Sequence, residues 1–252
     1  IEALKMRTLM ELTRGAERIV ELGAGWGKNL FKLWLYGAPL DAEYHALELT
    51  PEARNLAKRV AQSAAPKMPF FTHAFDYYRP DFSMFAEAKP TVVFSHHSLE
   101  QIPSVGERLF EAIKGIPGLI RVVHLEPVGF QVPGATWLEN VRPDRMEYID
   151  SLNRAFATKR DQNLNLYPIL RSMELEGSIR LTRVRKHFCS ILLKNATTLL
   201  VWEPNGTPSL TTPETQRDDL QEPPPQPSVW TRLRRKVGKR ILGETNAGSQ
   251  IH

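Results

Sequence analysis

The sequence is poor in the features that mark secreted and membrane-spanning proteins. Its one cysteine, Cys189, cannot form a disulfide within the chain. No stretch approaches the 18 or more apolar residues that a membrane-spanning helix requires, and no signal-peptide pattern is present. These absences favour a cytoplasmic location. Because the first residue is Ile1 rather than methionine, we expect the chain to start after a processing or trimming point.

The sequence also lacks residues at the spacing of metal ligands, and its main body carries no excess of positive charge. Two histidines are adjacent, His96 and His97, but no second group of carboxylates or cysteines lies near them, so we expect no metal site. Six cations near the C-terminus account for more than the whole net charge of +5. The rest of the chain is close to neutral, which argues against nucleic-acid binding.

The C-terminal region differs in composition from the rest of the chain. Residues 204–228 carry seven prolines among polar residues, which predicts a disordered linker after a domain of residues 1–203. In the basic tail of residues 229–252, apolar residues recur at helical spacing: Trp230, Leu233, Val237 and Ile241. The cations between them are Arg232, Arg234, Arg235, Lys236, Lys239 and Arg240. This pattern favours a helix on an anionic membrane surface; a partner-binding helix, a nucleic-acid arm and a soluble disordered end are alternatives.

Strand-like and helical patterns alternate through the body of the chain. Runs rich in β-branched and aromatic residues predict strands at 18–22, 44–49, 69–74, 91–95 and 119–125. Helices are predicted at 29–36, 51–64 and 106–114, with Thr50 as an N-cap. A helical region at 145–175 precedes two further strands, 178–188 and 197–202. The sequence therefore predicts an α/β fold: a doubly wound, mostly parallel seven-stranded sheet with helices on both faces and a C-terminal antiparallel hairpin. An insert at about 130–176 is expected to cover the substrate.

The stretch VELGAGWGKN packs three glycines into five positions directly after the first predicted strand. Glycine tolerates positive φ and lacks Cβ, so a ligand can approach the backbone of Gly23, Gly25 and Gly27 closely. A dinucleotide fold uses Gly-x-Gly-x-x-Gly, whereas here the third glycine comes one residue early. Glu21 precedes the first glycine and would repel a pyrophosphate. The turn therefore favours a ligand that carries positive charge near Glu21.

Four further motifs follow this turn in order: ALELTPEA, HAFDYY, TVVFSHHSLEQIP and LIRVVHLEP. Each coincides with the end of a predicted strand. Together with GAGWG, the series resembles the class I S-adenosylmethionine-dependent methyltransferases over roughly residues 15–130. The resemblance implies a Rossmann-like fold, S-adenosyl-L-methionine as the cofactor and methyl transfer as the reaction.

The resemblance also implies which residues contact the cofactor. The glycine turn would lie against its methionine part, Glu48 would accept both ribose hydroxyl protons, and Asp76 would meet the adenine amino group. The alternatives are a tight turn without a ligand, a helix-capping acid at Glu48 and a solvated loop acid at Asp76. The expected contacts are Glu21, Gly23, Ala24, Gly25, Gly27, Glu48, Leu49, Phe75, Asp76 and Ser95.

A hydroxyl acceptor needs a general base. His97 and His96 are the candidates, because an imidazole titrates near neutral pH and both follow the fourth predicted strand. Adjacent strand residues face opposite ways, so we expect only one of them to face the substrate. Glu100 could orient a histidine, bind substrate or serve only as an acid at a helix N-terminus. Three other histidines in strand patterns are expected in the core: His45, His73 and His124.

Aromatic and amide side chains of the insert are the candidate substrate contacts. Trp137, Asn163 and Tyr167, with Glu100, suit a sugar or a small aromatic metabolite, although they could equally cover the sheet edge. The same expectation includes Phe130, Asn140, Arg142 and Asn165.

The resemblance, together with these candidate residues, implies an S-adenosylmethionine-dependent methyltransferase acting on a small molecule or a glycan. The near-neutral main body argues against methylation of nucleic acids. Oxygen is the favoured acceptor atom, and the substrate would lie at the inner membrane surface if the tail binds lipid. A non-catalytic scaffold that binds the cofactor and an NAD(P)-dependent oxidoreductase are the alternatives. The sequence makes no prediction of the oligomeric state.

Overall fold

The computed structural model describes residues 1–134, 143–189 and 196–206. The helices are α1 (Glu2–Leu12), α2 (Lys28–Leu35), α3 (Pro51–Ala64), α4 (Glu107–Lys114), α5 (Pro143–Lys159) and α6 (Leu166–Leu175). The strands are β1 (Arg18–Leu22), β2 (Glu43–Glu48), β3 (Phe70–Ala74), β4 (Thr91–His96), β5 (Leu119–Glu126), β6 (Ile179–Cys189) and β7 (Thr197–Pro204). Short 3₁₀ turns follow β4 and β5 at Leu99–Gln101 and Gly129–Gln131.

The seven strands form one sheet in the order β3-β2-β1-β4-β5-β7-β6. Strands β1 to β5 pair in parallel, and β7 runs antiparallel to both β5 and β6. The predicted fold class is confirmed, including the C-terminal antiparallel hairpin. Chain order reverses between β1 and β4, which is where open α/β sheets form a ligand crevice at the carboxyl ends of their strands. We call this side of the sheet the carboxyl edge.

The sheet is covered on both faces, which explains why β1 is buried along its whole length. Alternate residues of the strand pack into different layers. On one face Ile19 packs with Leu9 of α1 and Leu30 of α2. On the other face Val20 packs with Phe110 of α4. Two apolar layers therefore hold β1 rigid up to the glycine turn that follows it.

Helix α1 was missed by the sequence analysis. Its buried positions include Lys5 and Thr8 beside apolar residues such as Met6 and Leu9. Polar residues at core-facing positions hide the helical spacing that predicts an amphipathic helix. The helix packs on the face that also carries α2, so it contributes to the surroundings of the glycine turn.

The helical region predicted at 145–175 is divided into α5 and α6, because the chain turns between Lys159 and Leu166 and Asp161 has a φ of 52°. Thr50 stands at the N-cap of α3 as predicted, but its hydroxyl donates to Glu48 at 2.8 Å. Strand β7 ends at Pro204, the first residue of the predicted linker. The remainder of the linker beyond 206, and the tail at 229–252, lie outside the described residues. Within the described ranges, no helix has the length and apolar character needed to cross a membrane.

Candidate functional site

The glycine turn lies at the carboxyl edge, and its three glycines have different surroundings. All three have positive φ: 65° at Gly23, 55° at Gly25 and 82° at Gly27. A Cβ at Gly23 would lie 2.5 Å from the Ser98 Cβ, and one at Gly27 would lie 3.0 Å from the Phe70 ring. A Cβ at Gly25 would have no described heavy atom within 4 Å. Gly23 and Gly27 therefore permit close packing, whereas Gly25 borders open space that a ligand could occupy.

Glu21 is the most unusual acid at this edge. Its side chain is 1% exposed, and its Oε1 accepts a hydrogen bond of 2.6 Å from Asn29 Nδ2. The other oxygen, Oε2, is buried without a hydrogen-bond donor in the part of the chain that the structure describes. Burial raises the pKa of the Glu21 carboxyl to about 8. A buried acceptor without a partner is costly, so a cationic ligand at Oε2 would relieve an existing deficit.

Glu48 ends β2 beside the same turn. Its Oε2 accepts a hydrogen bond of 2.9 Å from the Gly25 amide, and its Oε1 accepts bonds from the amide and hydroxyl of Thr50. The carboxylate is half-buried and links the glycine turn to the start of α3. A carboxylate has about four acceptor positions, so Glu48 retains capacity for a hydroxyl donor. The next residue, Leu49, is 63% exposed.

The other residues that were expected to contact the cofactor are buried or hydrogen-bonded within the protein. Ala24 is buried, and its amide donates to Leu47 O at 3.0 Å. Phe75 is 5% exposed, and its ring packs against Tyr77 and Phe82 in the core. Asp76 is half-buried, and its Oδ1 accepts from the amide of Tyr78, as a local turn does.

Ser95 is the penultimate residue of β4, but it does not face open space at the carboxyl edge. It is fully buried, and its Oγ is 3.0 Å from His124 Nδ1. The residue against the glycine turn is Ser98, whose Oγ donates to Leu22 O at 2.9 Å and lies 2.7 Å from the Tyr77 hydroxyl. Ser98 and Tyr77 were missed, because only the folded chain brings them beside Gly23.

His96 and His97 do not face opposite ways as expected. Strand β4 ends at His96, and His97 has a φ of 50°, which brings the two rings to a centroid separation of 4.7 Å. The His97 Nδ1 lies 3.3 Å from Glu100 Oε1, and its Nε2 lies 2.7 Å from the Thr197 hydroxyl. His97 is therefore a histidine with an acid on one nitrogen and a hydroxyl group on the other.

The surroundings of His96 are different. Its Nε2 lies 3.4 Å from Lys5 Nζ. Burial, followed by the charge of Lys5, lowers the pKa of His96 to about 3. The ring is therefore neutral at physiological pH and accepts a hydrogen bond from the ammonium group. Of the other histidines, His124 is a fully buried core residue that accepts from Trp202 Nε1, while His45 and His73 lie 3.0 Å apart through ring nitrogens.

Glu126 holds the turn that carries His97 and Glu100. The carboxylate is fully buried and accepts from the amides of Ser98, Leu99 and Glu100 at 3.1 to 3.3 Å. Burial raises the pKa of Glu126 to about 7. The three amide contacts give the turn after β4 a defined conformation at the end of β5. In the sequence, Glu126 was visible only as part of the motif LIRVVHLEP, without this role.

Most of the described residues that were expected to contact a substrate instead make contacts within the protein. Glu100 is buried, its carbonyl accepts from the Asn163 amide, and its Oε2 lies 3.5 Å from Gln162 Nε2. Asn163 is 1% exposed, and its Oδ1 accepts from the amides of Asn165 and Leu166 at the start of α6. It therefore does not face open space. Tyr167 is half-buried against the core. Trp137, Asn140 and Arg142 lie outside the described residues.

A groove of about 720 Å³ follows α5 beside the turn after β5. Its lining includes Phe130, Asp150, Ser151, Arg154 and Thr158. The Arg154 guanidinium lies 5.4 Å from the centroid of the Phe130 ring and donates to Phe130 O at 2.9 Å. An aromatic ring next to charged and hydroxyl groups suits a polar ring-shaped ligand. Among the described residues, no three His, Cys, Asp or Glu side chains are grouped as for a metal ion.

Solved structures share this fold at low sequence identity. An O-methyltransferase family protein from Burkholderia thailandensis aligns at a TM-score of 0.53 and 15% identity, over 81% of this chain and 56% of that chain. The two chains share the Rossmann-like fold of one mostly parallel seven-stranded sheet. A geranyl diphosphate methyltransferase in complex with GPP and sinefungin aligns at 0.51 and 11%, over 81% and 77% of the two chains. A possible exported protein from Bordetella parapertussis aligns at 0.52 and 16%, over 81% and 67%. No family model and no curated protein matches the sequence.

Proposed function

We propose that the protein is an S-adenosyl-L-methionine-dependent methyltransferase that methylates a hydroxyl group of a small molecule or a glycan. The observation that carries the proposal is the buried Oε2 of Glu21, which lacks a described donor beside a glycine turn that is open at Gly25. The amino-acid end of the cofactor carries an ammonium group that fits this oxygen. Glu48 lies beside the turn, and after accepting three hydrogen bonds it has acceptor capacity for one ribose hydroxyl.

The proposed base is His97. The Glu100 carboxylate at Nδ1 favours the tautomer that carries its proton on Nδ1, which leaves the Nε2 lone pair free to accept a proton. In the structure the Thr197 hydroxyl lies at Nε2. An acceptor hydroxyl that replaces Thr197 there would transfer its proton to Nε2. When bound, the cofactor supplies a methyl group on a positively charged sulfur, so the remaining task of the chain is to align the acceptor and exclude water.

The acceptor class rests on two further observations. The groove beside α5 combines the Phe130 ring with hydroxyl and charged groups, which suits a sugar or a small aromatic compound. One structural neighbour is described as an O-methyltransferase family protein, which supports oxygen as the acceptor atom.

The first test is calorimetric titration with S-adenosylmethionine and with S-adenosylhomocysteine. We expect micromolar binding that Glu48→Gln weakens by about tenfold, because a hydrogen bond to a charged group contributes roughly 1.5–3 kcal/mol. Glu43→Gln is the matched control, since Glu43 lies at the opposite end of the same strand. Absence of binding to both ligands would refute the proposal, and binding of a nicotinamide dinucleotide instead would favour an oxidoreductase.

The second test is methyl transfer from labelled cofactor to a panel of sugars and phenols. His97→Asn should lower the rate by about 10² to 10⁴ and leave cofactor affinity unchanged, because a general base contributes to the chemical step. Cofactor binding without transfer to any acceptor would favour a non-catalytic scaffold.

A further inference from the structure

Lys5 of α1 is a buried cation next to the glycine turn. Its side chain is 5% exposed. The ammonium group donates to Asn29 Oδ1 at 3.1 Å, lies 3.1 Å from Glu2 Oε2 and lies 3.4 Å from His96 Nε2. Burying an ammonium group is costly, and the contacts with Glu2 and Asn29 offset part of that cost.

Asn29 joins Lys5 to the acid of the candidate site. Its Oδ1 accepts from Lys5, while its Nδ2 donates to Glu21 Oε1 at 2.6 Å. One side-chain amide therefore holds a cation at one end and a carboxylate at the other. The carboxylate retains an oxygen, Oε2, without a described donor. Asn29 lies in the first turn of α2. Gly27 is the N-cap of this helix, and the backbone amides at the helix N-terminus also favour negative charge.

This arrangement is complementary to a zwitterion. A free amino-acid group carries an ammonium and a carboxylate on one carbon, and an acid and a cation held together by one amide can meet both. We propose that Lys5 binds the α-carboxylate of the cofactor's amino-acid end while Glu21 binds its α-ammonium. The inference rests on the proposed function. It makes α1 part of the binding site and Lys5 a determinant of specificity for ligands with an amino-acid end.

In the complex, the carboxylate of the ligand replaces His96 as a partner of the Lys5 ammonium. The contact with His96 is the longest of the three contacts of the Lys5 ammonium, and the ring is neutral, so a carboxylate at that position is a stronger acceptor. Glu2 and Asn29 keep the ammonium in place from the other sides.

The experiment compares three ligands by calorimetry on the whole chain. S-adenosylmethionine has both charged groups, decarboxylated S-adenosylmethionine lacks only the carboxylate, and 5′-methylthioadenosine lacks the amino-acid end. Lys5→Met should weaken the binding of S-adenosylmethionine by about tenfold or more, and leave the other two affinities unchanged. Glu21→Gln should weaken both ligands that carry the ammonium and spare methylthioadenosine.

Lys32→Met is the matched control. Lys32 also pairs with Glu2 between α1 and α2, at 2.8 Å, so this variant loses a cation and a contact of α1. It should bind all three ligands as the wild type does, and a thermal melt of each variant checks that α1 remains packed. Equal weakening of all three ligands by Lys5→Met would assign Lys5 to anchoring α1 and overturn the inference. Unchanged affinity for S-adenosylmethionine would overturn it as well. If the wild type binds none of the three, the proposed function itself fails.

Discussion

Cofactor binding should release a proton from Glu21. The pKa of this carboxyl is raised to about 8 by burial, so at pH 6.5 more than about 95% of the unliganded molecules carry the proton. An ammonium group at Oε2 stabilises the ionised form and lowers the pKa. Binding at pH 6.5 should therefore release about one proton per molecule, and affinity should rise about tenfold per pH unit between pH 5.5 and 7, or about 1.4 kcal/mol per unit.

The assay is calorimetric titration at pH 6.5 in two buffers with different ionisation enthalpies, whose difference in heat gives the number of protons released. Glu21→Gln should abolish the release and flatten the dependence of affinity on pH. Below pH 7 the ligand ammonium stays charged, so it adds little to the slope. Glu43→Gln should behave as the wild type, because the lowered pKa of Glu43 keeps this acid ionised. Equal proton release by wild type and Glu21→Gln would refute the assignment of Glu21 to the cationic group.

The same carboxyl sets a dependence of stability on pH. Its pKa in the folded chain lies above its ordinary value near 4.5, so the folded state holds the proton more tightly than the unfolded state does. Its contribution to stability is complete below about pH 4.5 and is lost as the pH rises to about 8. Glu21→Gln should therefore stabilise the unliganded protein at pH 9, by on the order of a few kcal/mol, but not at pH 4, as denaturant melts at the two pH values will measure.

Three further predictions concern the turn, its support and the tail. Gly25→Ala should destabilise the fold by about 1 kcal/mol, because the position has a positive φ, and should abolish cofactor binding. Gly37→Ala is the control, since Gly37 also has a positive φ and open space around it: in a denaturant melt it should lose the same stability, but it should still bind the cofactor. Glu126→Ala should slow methyl transfer more than it weakens cofactor binding, because it frees three amides of the turn that positions His97; equal losses in both would contradict this role. Deleting residues 229–252 should abolish salt-sensitive binding to phosphatidylserine vesicles, and unchanged sedimentation with the vesicles would remove the membrane hypothesis.

Local patterns were sufficient to predict the sheet. The bounds of β1 and α3 agree with the prediction to the residue, since burial on both faces and a proline in the first helical turn leave clear local signals. The glycine turn could also be predicted from the sequence, because three glycines in five positions directly after a strand indicate a tight turn. Helix α1 lacked such a signal, as its core-facing positions carry Lys5 and Thr8.

The sequence by itself determined the order of the elements and the position of the glycine turn, because these depend on residues close together in the chain. Only the tertiary structure decided which side chains surround that turn. Lys5 and Asn29 are 24 residues apart and meet through the packing of α1 on α2. His97 and Thr197 are 100 residues apart and meet because β7 lies beside β5. These contacts depend on the order of the strands in the sheet and on the positive φ of His97 after β4. Local periodicity in the sequence encodes neither of them.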